Sequence, residues 1–252
     1  MISIEQQIQT SPKETNNKRF IISLTIPLIV AAIIWTIKVY EILFDVSFYR
    51  YGIYPRTMHG FIGIFMAPLI HGDFNHIYFN SLYWLIFGTA FFYFFPNRGY
   101  IYFLAIYFFS GFLVWIFARP SYHIGLSGII YALASFLFFI NLMTKDFRKM
   151  AISLIIIFLF SSMILGLFPK DIHISWESHI AGVLTGFGIA VLESYKIWKS
   201  SSTTPFSSTY FNKINRFNTT STYTNIRYFY NEKNTKKVLS KKKSGTPQPI
   251  DG

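Results

Sequence analysis

Six apolar runs free of Lys, Arg, Asp and Glu divide the chain: Phe20 to Ile37, Ile77 to Phe95, Tyr100 to Phe117, Ile124 to Met143, Met150 to Phe168, and Ser178 to Leu192, the last continuing toward Trp198. A helix needs about 20 apolar residues to cross hydrocarbon, with about 17 to 25 tolerated. The pattern therefore predicts an all-α polytopic membrane protein with six transmembrane helices. Buried helices of a large soluble protein are the competing reading, but runs so closely spaced leave almost no polar surface to face water. Phe20 to Ile37 follows Lys18-Arg19 as the apolar part of a signal peptide would. Its length exceeds that of such a segment and no small-x-small cleavage pattern follows, so a retained helix is expected.

Between the first and second runs lie 39 residues, Lys38 to His76. That is too long for a passive turn, so this outer loop is expected to carry structure of its own. Within it, Phe61 to Ile70 is apolar but too short to span, and is expected to lie in or dip into the interface. No internal repeat is present, which argues against a transporter built from duplicated halves. After Tyr195 the chain turns to Ser, Thr, Asn and Lys with no apolar period. This divides it into a short N-terminus (1–19), a helical domain (20–198) and a basic tail (199–252) expected to be disordered.

Composition sharpens the picture. Of 252 residues, 52% are hydrophobic and 13% charged, about half the charged share of ordinary soluble domains, and the mean hydropathy is +0.37. There is no cysteine. Disulfides, thiolate nucleophiles and Cys-based metal sites are excluded, leaving Ser, Thr, Lys or acids as nucleophiles. Lys and Arg exceed Asp and Glu by 12. Eighteen of the 23 basic residues fall in residues 1–19, the turn holding Arg98, the Thr144 to Lys149 turn and the stretch after Leu192; Lys38, Arg50, Arg56, Arg119 and Lys170 lie on the other side. The positive-inside rule then places both termini in the cytoplasm, and the short basic N-terminus without an organelle signal points to a prokaryotic plasma membrane. The tail's charge favours contact with anionic membrane lipids, each cation contributing about 1 kcal/mol near the surface. Nucleic acid is the rival partner, but the tail starts at the membrane and carries no nucleic-acid motif.

Polar side chains inside spans are costly and therefore mark function. Three clusters occur: His76-Ile-Tyr-Phe-Asn80, Gly125-Leu-Ser127-Gly128-Ile-Ile-Tyr131, and His179-Ile-Ala-Gly182-Val-Leu-Thr-Gly186. All fall at the first turns of helices that enter from the outside, so they share one depth. His76 and Asn80 share a face, as do Ser127 and Tyr131. Gly128, Ala132 and Ser135 form a small stripe that Gly182 and Gly186 match, allowing helices four and six to pack near backbone contact and bring Ser127 toward His179.

A serine hydroxyl becomes an effective nucleophile when a base takes its proton, and His is the usual base. Ser127 and His179 supply that pair. The side chains of His76 and Asn80, with the Ser127 backbone N–H, supply donors for the oxyanion of acyl transfer. No acid lies within a span, and Glu177, two residues before His179, points elsewhere on a helix. The expected arrangement is a dyad with Tyr131 supporting the imidazole. His71 adds a histidine near His76, but no His-Glu-x-x-His is present, which excludes a metalloprotease of that type. His59, His123 and His173 are assigned no role. No cofactor is called for.

At these residues the sequence resembles the rhomboid family of intramembrane serine proteases, over roughly Pro55 to Leu192. Phe65-Met-Ala-Pro-Leu-Ile-His71-Gly-Asp-Phe-Asn-His76-Ile-Tyr-Phe-Asn80 resembles the family's approach to its second helix, with His76 and Asn80 at the oxyanion-binding positions and His71 at that of the upstream histidine. Gly125-Leu-Ser127-Gly128 resembles the Gly-x-Ser-Gly nucleophile motif, and His179-Ile-Ala-Gly182-Val-Leu-Thr-Gly186 the catalytic-base motif; Tyr131 matches the aromatic that stacks on the base. The resemblance implies a six-transmembrane-helix rhomboid-like bundle with a structured first outer loop, cutting transmembrane protein substrates near the outer face. It also implies that the fifth helix and the Pro169 to Glu177 loop gate access. The family's Trp-Arg pair in the first outer loop is absent, Tyr49-Arg50 standing nearest, and Ser178 replaces the usual Ala before the base. Two other functions compete: an inactive rhomboid-like binder of membrane clients, and a channel or transporter. The first usually lacks the serine or the base. The second requires polar residues through the whole bilayer, whereas the inner halves here are mostly Phe, Leu and Ile.

Overall fold

The structure is a computed structural model that describes residues 12–143, 150–151, 153–154, 158, 162–169 and 175–203. Helix α1 runs from Pro12 to Leu43, so it begins eight residues before the first apolar run; proline at a first helical position loses no hydrogen bond. The outer loop then holds a 3-10 turn (Tyr49–Tyr51), the short helix α2 (Met58–Met66) and a second 3-10 turn (Ala67–Leu69). Helices α3 (Phe74–Phe94), α4 (Gly99–Phe117) and α5 (Ser127–Met143) follow. A single turn, α6 (Ser162–Leu165), precedes α7 (Trp176–Thr203).

Among the described residues, four helices are long and apolar enough to cross a membrane: α1, α3, α4 and α7. The fourth apolar run forms α5, apolar but only 17 residues long. The chain is a multi-pass, all-α membrane bundle. Most of the predicted fifth span, the Thr144 to Lys149 turn, His173 and the tail from 204 onward lie outside the described residues. Helix α7 carries past Trp198 to Thr203, into the segment assigned by composition to the tail.

Two differences from the sequence reading have local causes. Ile124 to Leu126 are not helical, because Gly125 adopts φ +104°, a left-handed conformation that breaks the helix and that side-chain-bearing residues rarely take. Ser127 is therefore the first residue of α5. In the outer loop, Arg56 rather than Arg50 does the fastening. Its guanidinium donates to the carbonyls of Ile116 (3.0 Å) and Ala118 (3.1 Å), its N–H donates to Trp115 O (3.0 Å), and Trp115 Nε1 donates to Thr57 O (2.8 Å). This loop is structured, as its length predicts.

Packing follows the small residues. Helices α5 and α7 make the most extensive contact in the bundle, with α1 against α3 next. A Cβ added at Gly182 would overlap the carbonyl oxygen of Gly128, and one at Gly186 would overlap that of Ala132. Ser135 Oγ donates to Val183 O at 2.8 Å in the same seam. Such close approach supplies the dispersion contacts and hydrogen bonds that hold helices together in lipid, where apolar burial alone does not discriminate between helix and tail. The α1–α3 seam is joined by Trp84 Nε1 donating to Pro27 O (2.9 Å) and Trp35 Nε1 to Ser81 Oγ (2.9 Å). Trp84, Phe87, Phe91, Phe136 and Leu133 fill the centre.

Candidate active site

The first turns of α3, α5 and α7 meet at one end of the bundle. Asp73 caps α3 by accepting from His76 N–H at 2.9 Å, which fixes where that helix starts and hence the depth of His76 and Asn80. The strand-like approach to α5 is suspended from the outer loop: Gly125 N–H donates to Ala67 O (2.8 Å) and Leu126 N–H to His71 Nε2 (3.4 Å). Lys38, at the end of α1, in turn donates to the carbonyls of His71 (3.1 Å) and Gly72 (2.8 Å) and pairs with Glu41 at 3.2 Å. His71 is thus a scaffold for the backbone entering Ser127. It precedes α3 instead of lying on it, so its ring meets that of His76 at 5.1 Å although five residues separate them.

Ser127 Oγ lies 2.9 Å from His179 Nε2. The other ring nitrogen, Nδ1, lies 2.7 Å from the carbonyl oxygen of Gly166. A carbonyl can only accept, so Nδ1 carries the proton and Nε2 presents its lone pair to the serine hydroxyl. Tyr131 stacks on the imidazole with ring centroids 4.2 Å apart and planes 15° from parallel, and its hydroxyl donates to Met163 O. The His179 imidazole is therefore supported from two sides. The stacking partner is legible from the spacing of Ser127 and Tyr131, whereas the Gly166 carbonyl is a main-chain group with no signature in the sequence.

His76 and Asn80 both close on the backbone two residues before Ser127: a Cβ at Gly125 would lie 2.7 Å from His76 Nε2 and 3.5 Å from Asn80 Nδ2. Asn80 is 5% exposed, and its Nδ2 donor has no hydrogen-bond partner. A buried amide donor left unpaired costs about 1–3 kcal/mol unless a ligand or a transient charge takes it up. Glu177 does point away from His179, pairing with Arg119 at 3.4 Å. His123, given no role by its place in an outer loop, is 2% exposed and hydrogen-bonded through both ring nitrogens, to Ser175 Oγ (2.6 Å) and Arg119 O (3.0 Å). A small cavity beside the serine is lined by Gly125, Gly128, His123, Ser178, Ser110 and Tyr107.

Residues 58–196 match the Rhomboid domain. The chain belongs to the rhomboid family, whose members are generally intramembrane serine proteases and include inactive forms. An uncharacterized protein of Mycobacterium tuberculosis is 25% identical over 189 residues, covering 71% of this chain and 79% of its own, and one of Mycobacterium bovis matches to the same extent. An uncharacterized protein of Mycobacterium leprae is 26% identical over 141 residues, 52% of this chain and 56% of its own.

Proposed function

We propose that the protein is an intramembrane serine endopeptidase that cuts membrane-anchored protein substrates near the outer face. The observation that carries the reading is the 2.9 Å contact between Ser127 Oγ and His179 Nε2 while Nδ1 is committed to the Gly166 carbonyl. In the proposed reaction Ser127 Oγ attacks the scissile carbonyl carbon as its proton passes to Nε2. The oxyanion takes hydrogen bonds from Asn80 Nδ2, His76 and the Ser127 N–H. His179 then returns the proton to the leaving amine, leaving an acyl-serine, and activates a water to hydrolyse that ester. Gly125, Gly128, Gly182 and Gly186 hold the helices close enough for the two groups to meet. In this cycle the nucleophile, the base and the oxyanion donors are groups of the chain, and the hydrolytic water comes from solvent.

The basic residue distribution supports a plasma-membrane location with both termini in the cytoplasm and the tail from about 199 onward against anionic lipids. The test uses the full chain in liposomes with a single-span model substrate and a fluorophosphonate probe. Cleavage and labelling are expected for the wild type and absent for Ser127→Ala and His179→Ala. A wild type that binds the substrate yet neither cuts it nor takes the probe would leave a client-binding protein instead.

A further inference from the structure

We propose that His123 is a positioning residue for the Ser127–His179 pair, acting through a hydrogen-bonded relay of Ser175 and Ser178; this rests on the peptidase reading above. His123 is anchored on its own side. Its backbone pairs with Ile53 in both directions, His123 N–H to Ile53 O (2.9 Å) and Ile53 N–H to His123 O (3.0 Å), which ties it to the outer loop. Its Nε2 faces the Arg119 carbonyl at 3.0 Å and therefore carries the proton. That leaves Nδ1 as an acceptor, and Ser175 Oγ donates to it at 2.6 Å. Ser175 Oγ in turn accepts from Ser178 Oγ (2.5 Å) and from Ser178 N–H (3.4 Å).

The relay ends where alignment matters. Ser175 and Ser178 frame the first turn of α7, and the residue after Ser178 is the base. The Ser178 carbonyl oxygen lies 3.1 Å from where a Cβ on Gly128 would sit, next to the nucleophile. Two histidines hold the main chain next to the pair, His179 at Gly166 and His123 at Ser175. The Arg119–Glu177 pair joins the same two elements beside the relay. Loosening the first turn of α7 displaces the imidazole relative to Ser127 Oγ without removing either group, and misplacement by about 1 Å is enough to slow such reactions up to about 100-fold.

The experiment measures kcat, KM and Tm of the full chain in liposomes for His123→Leu, His123→Asn, Ser175→Ala, the double variant His123→Leu/Ser175→Ala, and Ser127→Ala as the blank. His123→Leu and Ser175→Ala are each expected to lower kcat about tenfold with KM within twofold, and the double variant to fall no further. His123→Asn, whose side-chain oxygen can accept from Ser175, is expected to recover most of kcat. Should His123→Leu fail to accumulate, the comparison of His123→Asn with Ser175→Ala decides the same point. Unchanged kcat, a change confined to KM, or losses that multiply in the double variant would overturn the relay while leaving the peptidase standing. A wild type no faster than Ser127→Ala removes the peptidase and the relay together.

Discussion

Gly182 sits so close beneath Gly128 that any side chain on it would occupy the position of the Gly128 carbonyl oxygen. These two residues lie next to the base-bearing and serine-bearing turns, so helix packing and the site's geometry are set by one contact. A Gly182→Val substitution is expected to force α5 and α7 apart, costing about 1–3 kcal/mol and reducing probe labelling of Ser127. Thermal unfolding in detergent, read beside the labelling rate, checks both effects. A fully stable and fully labelled variant would show that the seam does not hold the dyad.

Asn80 presents a buried, unpaired amide donor to the backbone ahead of Ser127. An oxyanion donor is worth about 2.7–4 kcal/mol of transition-state stabilisation, so Asn80→Ala should lower kcat about 100-fold or more with KM nearly unchanged. Steady-state kinetics on a single-span substrate separates the two constants. A rise in KM alone would move Asn80 from the transition state to substrate binding.

Gly166 touches the site twice, accepting from His179 Nδ1 and facing Tyr131. A Cβ there would overlap the Tyr131 hydroxyl and stand 3.1 Å from Nδ1. Gly166→Ala should therefore slow acylation of Ser127 by about tenfold or more through a displaced imidazole. The pH dependence of probe labelling should also shift, because the Gly166 carbonyl is what fixes the proton on Nδ1. An unaltered labelling rate and profile would mean that the loop adapts.

Burial, and secondarily the neighbouring His76, hold the His71 imidazole down from 6.5 to about 3. Its folded pKa is thus below its unfolded one, so the unfolded chain binds the extra proton. The stability this group contributes is complete above about pH 6.5 and is lost as pH falls toward 3. His123 is shifted the same way by burial and adds to the same acid sensitivity. Tm measured from pH 8 to pH 4 should decline, and His71→Gln should decline less steeply. A parallel decline in the variant would place the acid sensitivity elsewhere.

The bundle was legible because lipid allows few solutions: long charge-free runs must be helices, and the few polar groups within them must meet something. Ser127, His179, His76 and Asn80 stand out for that reason, and Tyr131 follows from a four-residue spacing to Ser127. His71 and His123 were harder to place. A histidine in a loop has no periodicity to say which way it faces, and both proved to be buried scaffold groups, each with one partner more than 50 residues away, Leu126 for the first and Ser175 for the second.

What the sequence by itself determined is the family, the helical class and the side chains gathered at one depth, because hydrophobic length and intramembrane polarity are properties of the residues alone. The tertiary structure decided the rest: the proton's place on His179, the Gly166 backbone carbonyl that holds it there, and the start of α5 at Ser127. Those depend on main-chain groups and on a positive φ at Gly125, and a main-chain carbonyl is the same atom in every residue until the fold aims it.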